Sequence, residues 1–207
     1  MKKSLLLVLS LALLAACGIE EGALSETKTA EQEDVATEQI ETSEKETVAE
    51  ETSEFGKRSN PVPVGQNQIV DVVIYDNESN SFAAQAEITV NSVERGEGVL
   101  EFVKGINEYN ETPPEGSEYI MLDVTTKLIE SETEDYAWFV DGMNFDFIGG
   151  DGSPYEWTSV VVEPSLSGEV FAGGSLEGKV VNMVKKDDPI LLVLEDGNWD
   201  NIFFATE

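Results

Sequence analysis

The chain has no histidine and a single thiol, Cys17, set against 42 aspartates and glutamates. That inventory removes the common routes to catalysis: without histidine there is no Ser-His-Asp or Cys-His nucleophile and no histidine-ligated zinc. Two carboxylates at a suitable separation are enough to cleave a glycosidic bond. With this many acids, however, pairs arise by chance and none stands out, so a carboxylate-based hydrolase ranks third among the expectations. The first is a protein without catalytic residues or cofactor. Aromatic groups are the other candidates for contact, because Trp138, Tyr155, Trp157 and Trp199 could offer faces to sugar rings or to a partner's side chains. Trp138 and Trp157 are expected to fill the core. Trp199 lies in a turn between Asn198 and Asp200, where burial is harder, and is the expected exposed ligand contact.

Oxygen ligands for a hard cation raise a second class. Asp196-Gly197-Asn198-Trp199-Asp200-Asn201, with Glu207 at the twelfth place, reproduces the acidic spacing of an EF-hand calcium loop. The match fails where geometry is strict: position 6 is Asn201 rather than glycine, and the flanking segments read as strands. A hairpin turn is the better expectation, since Asp, Gly and Asn supply the backbone bends. Asp141, Asn144, Asp146 and Asp151 form another oxygen-rich stretch with the same outcome, and period-two alternation sets Asp146 and Phe147 on opposite faces of a sheet. No metal site is assigned, and an extracellular calcium-binding protein is the second-ranked function.

The most specific chemistry surrounds Cys17. Lys2 and Lys3 precede an apolar run from Ser4 to Leu14 that is too short for a permanent transmembrane helix, which is the layout of a secretory signal. Leu14-Ala15-Ala16-Cys17-Gly18 resembles the lipobox of bacterial lipoproteins. Small residues let an extended backbone lie close in a peptidase cleft, and the thiol is the nucleophile that takes up a diacylglyceryl group. The resemblance implies cleavage before Cys17 and a mature protein held by acyl chains, at about 0.8 kcal/mol per buried methylene. The expected address is the extracellular face of the cell membrane. As Cys17 is the only cysteine, no intrachain disulfide can form and the fold must stand on its core.

Elements must follow that can position a contact surface. From Gly18 to Phe55 the sequence is Glu, Thr, Ser and Ala, with 13 acidic residues against Lys28 and Lys45, a net charge of -11. So polar a segment buries too little surface to offset its ordering entropy. It reads as a disordered tether with a span of roughly 35 Å. The whole chain carries -30, which excludes nucleic acid as a partner and repels anionic surfaces. The expected division is a signal over 1–16, the lipidated cysteine and acidic linker over 17–57, and one folded domain over 58–207.

The later part alternates in the manner of β-structure. In YIMLDVTTKLI, the even positions Ile120, Leu122, Val124, Thr126 and Leu128 form an apolar face, while Tyr119 and Met121 indicate that the start of the strand is covered on both sides. Further strands are expected at Ile69 to Tyr75, Ala84 to Val93, Trp138 to Phe147, Trp157 to Val162, Leu176 to Val184, Ile190 to Leu194 and Ile202 to Thr206. Glycine and aspartate turns separate them. Val99 to Tyr109 reads as either a short helix or an irregular loop. Seven or eight short strands predict an antiparallel β-sandwich.

Gly116-Ser117-Glu118-Tyr119 leading into Ile120 to Leu128, Phe145-Asp146-Phe147 to Gly152 with Tyr155, and Gly173-Gly174-Ser175-Leu176-Glu177-Gly178 into Val180 to Val184 follow one another in order. Together they resemble the immunoglobulin-like domain of unknown function of Gram-positive membrane lipoproteins, over roughly residues 62 to 206. One departure is that Lys127-Leu128-Ile129-Glu130 stands where such domains usually end the long strand with Asn. The resemblance implies an immunoglobulin-like sandwich at the cell surface and brings no catalytic residues. The leading expectation is thus a lipid-anchored module that binds an envelope protein or glycan. Sequons at Asn77 and Asn110 read as chance.

Overall fold

A computed structural model describes residues 55–207. Cys17 and the expected signal and tether, up to residue 54, lie outside the described residues. Within them the chain is an all-β, antiparallel sandwich. One sheet has the order β1 (Asn67–Tyr75), β2 (Ser81–Arg95), β3 (Ser117–Ser131) and β7 (Ser175–Lys185). The other has β5 (Phe145–Gly149), β8 (Ile190–Glu195) and β9 (Asn201–Ala205), and a separate short pair, β4 (Trp138–Asp141) and β6 (Ser167–Val170), meets β1 through β4 and β7 through β6. If β2 is taken as the first strand of an immunoglobulin sandwich, β2-β3-β7 and β5-β8-β9 reproduce its A-B-E and C-F-G neighbours, with β1 as an added edge.

The sandwich closes because the apolar residues fall every second position. Ile120, Leu122, Val124 and Leu128 are fully buried, as are Phe145 and Phe204 from the facing sheet, and one cluster contains them all. Each such side chain contributes about 1.5–3 kcal/mol of transfer free energy. The 15-residue strands β2 and β3 stay paired across two register shifts, at Gln85/Ala86 and Val90/Ser92. Such bulges let long strands coil.

The start of β3 is covered on its outer face as well. Tyr119 and Met121 pack with Val99, Val103, Val162 and Val181 in a second cluster. Part of that cover is α1 (Glu97–Ile106), which takes the helical alternative for the 99–109 stretch; Glu97 in its first turn and Lys104 in its last match its dipole. The rest is the 157–162 segment, which was expected to be a strand and is irregular. Its apolar alternation is real, since Val160 and Val162 face the second cluster. Its backbone, however, is held by side-chain amides in place of a ladder. Thr158 N–H donates to Asn182 Oδ1 at 2.9 Å and Val161 N–H to Asn110 Oδ1 at 2.8 Å. Asn110, the sequon residue, is buried and also donates to Val103 O and Val161 O.

Expected as one strand, Trp138 to Phe147 is two, divided by a 3-10 turn over Gly142–Asn144. Asp141 Oδ1 accepts from Met143 N–H, and Asn144 Oδ1 accepts from Asp141 N–H, so two side chains satisfy the backbone groups freed by the break.

Sheet edges are covered in three ways. Val62 bonds β9 through Phe203 O and Ala205 N–H. Pro164 to Leu166 bonds Lys179 on β7, and Gly178 admits this segment, because a Cβ there would fall 2.5 Å from Leu166 Cα. At the β1 edge, Gly197 N–H donates to Asp71 O at 2.7 Å. The β8–β9 turn is thereby fastened against the opposite sheet.

Candidate binding site

That turn carries Trp199. Asp196 N–H donates to Asp200 O and Trp199 N–H to Asp196 O, while Asp196 Oδ1 accepts from both Asn198 N–H (2.8 Å) and Asp200 N–H (2.9 Å). This is a three-residue hairpin loop whose last residue takes left-handed backbone, the place where glycine is usual. Here it is Trp199, at φ 68. Gly197 has ordinary φ and serves a different purpose: a Cβ on it would stand 3.1 Å from Val73 Cγ2 and 3.3 Å from Asp71 backbone. Asn198 Nδ2 donates to Asp71 Oδ2 at 2.7 Å, a second tie to β1.

Trp199 is 81% exposed and Tyr75, at the end of β1, is 63% exposed. Both line one groove of about 220 Å³, together with buried Trp138 and Leu194 and the polar Asn144, Glu195 and Asp196. A larger open groove of about 500 Å³ shares Val72, Val73 and Gly197 with it and runs past Asp71, Gln85, Glu130 and Glu132. Neither groove is lined by a lysine or arginine. Ion pairs among the described residues join Arg95 to Glu118 and Glu207, and Lys179 to Asp123. They involve none of the five groove carboxylates. Asp71 receives neutral amides from Gln85 and Asn198, and Glu132 Oε2 receives Ala83 N–H.

The other sequence candidates separate. Trp138 is 7% exposed and belongs to the core. Trp157, expected there too, is 42% exposed. It lies on the irregular segment and meets Phe147 at 6.4 Å, and a Cβ on Gly142 would fall 3.2 Å from its ring, so it covers the core without entering it. Asp146 is exposed and Phe147 buried, on opposite faces as alternation requires. The 196–201 stretch is the hairpin turn described above, and no three acidic or cysteine side chains among the described residues converge on a point that could hold a metal ion.

Tyr155 donates its hydroxyl to Asp188 Oδ2 at 2.6 Å. Burial first, then that carboxylate, pushes its pKa above the ordinary value. Tyr119, whose hydroxyl bonds Glu111 O, is also raised by burial and then by the Glu111 charge. Asp151 is lowered, chiefly by Ser153 N–H. These groups fasten loops and none faces the two grooves. Tyr75, Glu130 and Glu132 are not among the contact candidates that the sequence offers. The available signal was alternation, which puts Tyr75 on the outer face of β1.

No family model and no curated protein matches this chain. Two solved structures are weakly similar. One is a candidate lipoprotein of Bacillus subtilis (ycdA), 15% identical, with a TM-score of 0.42 over 57% of this chain; the chain spans 35% of its length. The other is a conserved hypothetical protein of Bacillus anthracis, 13% identical, with a TM-score of 0.30 over 68% of this chain and 98% of its own.

Proposed function

We propose that this chain is a lipid-anchored, non-catalytic binding module of the cell envelope, with the Trp199 end of an immunoglobulin-like sandwich as its contact face. The anchor rests on Cys17 and the signal layout ahead of it. Trp199 carries the binding reading: a bulky ring is held in backbone that glycine would occupy with less strain, and it is left 81% exposed beside a second exposed aromatic. A surface tryptophan that improved folding would be expected to bury its ring. Large aromatics with polar tips are suited to forming the centre of a contact with another molecule.

Two experiments test the two halves. Cys17→Ala should abolish membrane retention, leaving released protein or an unlipidated precursor, and intact-mass measurement of the wild type should find acyl chains on the mature amino terminus. Unchanged membrane association in Cys17→Ala would refute the anchor. For the contact face, a component that co-purifies with the full-length chain from envelope extracts should be lost with Trp199→Gly. Equal recovery by both proteins would refute the assignment of this end.

A further inference from the structure

We infer that the partner of the Trp199 end is a cationic, partly apolar peptide segment of another envelope or secreted protein. This rests on the reading of that end as the contact face and names the chemistry that would occupy it.

The two grooves meet at Gly197 and share Val72 and Val73. Apolar contact is supplied by Tyr75, Trp199 and Val73. Around them stand five carboxylates, Asp71, Glu130, Glu132, Glu195 and Asp196, none paired with a cation among the described residues. Asp196 uses Oδ1 for its own turn, and no bond from the described residues engages Oδ2. Among the described residues Glu130 and Glu195 make no side-chain hydrogen bond, so no described group holds their charges back from a partner's.

Charge complementarity also excludes the occupants nearest at hand. The chain's own tether carries -11 and would be repelled, and a second copy, at -30, would bring the same acidic surface. An anionic polymer or lipid surface fails for the same reason. A neutral glycan could stack on the rings but would leave the carboxylates unanswered. Lysine and arginine stems can lie along apolar walls while their charged ends reach the carboxylates, and an aromatic ring attracts a cation over its face. Long-range attraction would raise the association rate, in a manner that salt suppresses.

The test uses the full-length protein in neutral detergent and three probes. These are a short peptide of alternating lysine and leucine, the same peptide with glutamate for lysine, and a neutral chitin oligosaccharide. Calorimetry should show saturable binding of the lysine peptide, weakening as salt rises, and no binding of the glutamate peptide. Trp199→Gly and Tyr75→Ser should each weaken it about tenfold, as expected where a few aromatic side chains dominate a contact. Glu130→Lys with Glu195→Lys should weaken it further, while the thermal melt of each variant confirms folding. Lysine-peptide binding that ignores Trp199→Gly would assign it to bare charge, the tether included, and overturn the inference. Oligosaccharide binding that is lost in Trp199→Gly would overturn the cationic partner and keep the contact face. If no probe responds to Trp199→Gly, the inference and the contact face fall together, whereas the anchor stands on the separate Cys17→Ala result.

Discussion

The β1–β2 and β8–β9 hairpins close with the same loop. In each, an aspartate (Asp76 or Asp196) donates its N–H to the residue four ahead and accepts through its carbonyl from the residue three ahead. Its Oδ1 also takes the N–H groups of the second and fourth residues on. Both loops place a non-glycine residue in left-handed backbone, Ser79 at φ 66 and Trp199 at φ 68. Two side chains differ in consequence. Asn80 closes the first loop by donating to Asp76 Oδ2 at 2.7 Å. Its counterpart Asp200 is a carboxylate and has no proton to donate. Moreover, the second loop leans on β1 through Gly197, whereas Asn77 at the corresponding place is exposed. One loop completes its own hydrogen bonding. The other leaves a carboxylate oxygen and an indole open while gripping the opposite sheet.

Gly197→Ala should give the largest contrast. Its methyl group would press on Val73 and the Asp71 backbone, an overpacking cost of about 1–3 kcal/mol. Asn77→Ala, on the exposed loop, should stay within about 0.5 kcal/mol. Paired denaturant titrations decide it, and equal costs would show that the grip on β1 is dispensable. Asp196→Ala comes next. It removes the acceptor for two backbone N–H groups, a loss of about 1 kcal/mol by analogy with helix caps. Hydrogen exchange should accelerate at Asn198 and Asp200 first.

The first loop can be sharpened through pH. Asn80's side-chain amide is the leading reason that Asp76 sits below the ordinary carboxylate pKa, and the N–H groups of Asn80 and Glu78 add to it. A carboxylate lowered on folding stabilises the folded state above its unfolded pKa of about 3.9, and that contribution fades as pH falls through the folded value. Asn80→Ala should therefore move the Asp76 titration upward, as read by carboxyl carbon shifts, and flatten the acid limb of the stability profile. An unmoved titration would mean that the backbone donors suffice.

The two loops also mark how far sequence reaches. Alternation in β3 placed the inward face correctly because Ile120 to Leu128 repeat one rule five times, and all five residues are fully buried. Tyr119 and Met121 even signalled a second cover. What covers them was ambiguous because 99–109 shows too few turns to separate a helix from a loop. The 157–162 segment was mistaken for a strand because its apolar residues do alternate. The amides that hold its backbone, from Asn110 and Asn182, come from distant positions that leave no local pattern. At the candidate site, the turn chemistry of Asp196-Gly197-Asn198 sufficed to expose Trp199. Tyr75 joins it only because the β1 edge meets the β8–β9 turn, a juxtaposition made by packing.

Trp199→Gly should have a small effect on stability, and its sign is the informative part. A bulky residue in left-handed backbone costs roughly 1–2 kcal/mol, which glycine relieves. Glycine also gives the unfolded chain more freedom, a penalty of about 0.4–1 kcal/mol. With the indole 81% exposed, little burial is lost to add to that penalty, so relief prevails and the variant should be more stable by up to about 1 kcal/mol. Ser79→Gly in the twin loop relieves the same backbone and should shift stability in the same direction. If Trp199→Gly alone is destabilising by more than about 1 kcal/mol, the ring braces the fold and its exposure cannot be taken as a sign of binding. If both variants gain, the tryptophan is held at a cost to stability that the rest of the hairpin does not require, as expected of a side chain retained for contact with another molecule.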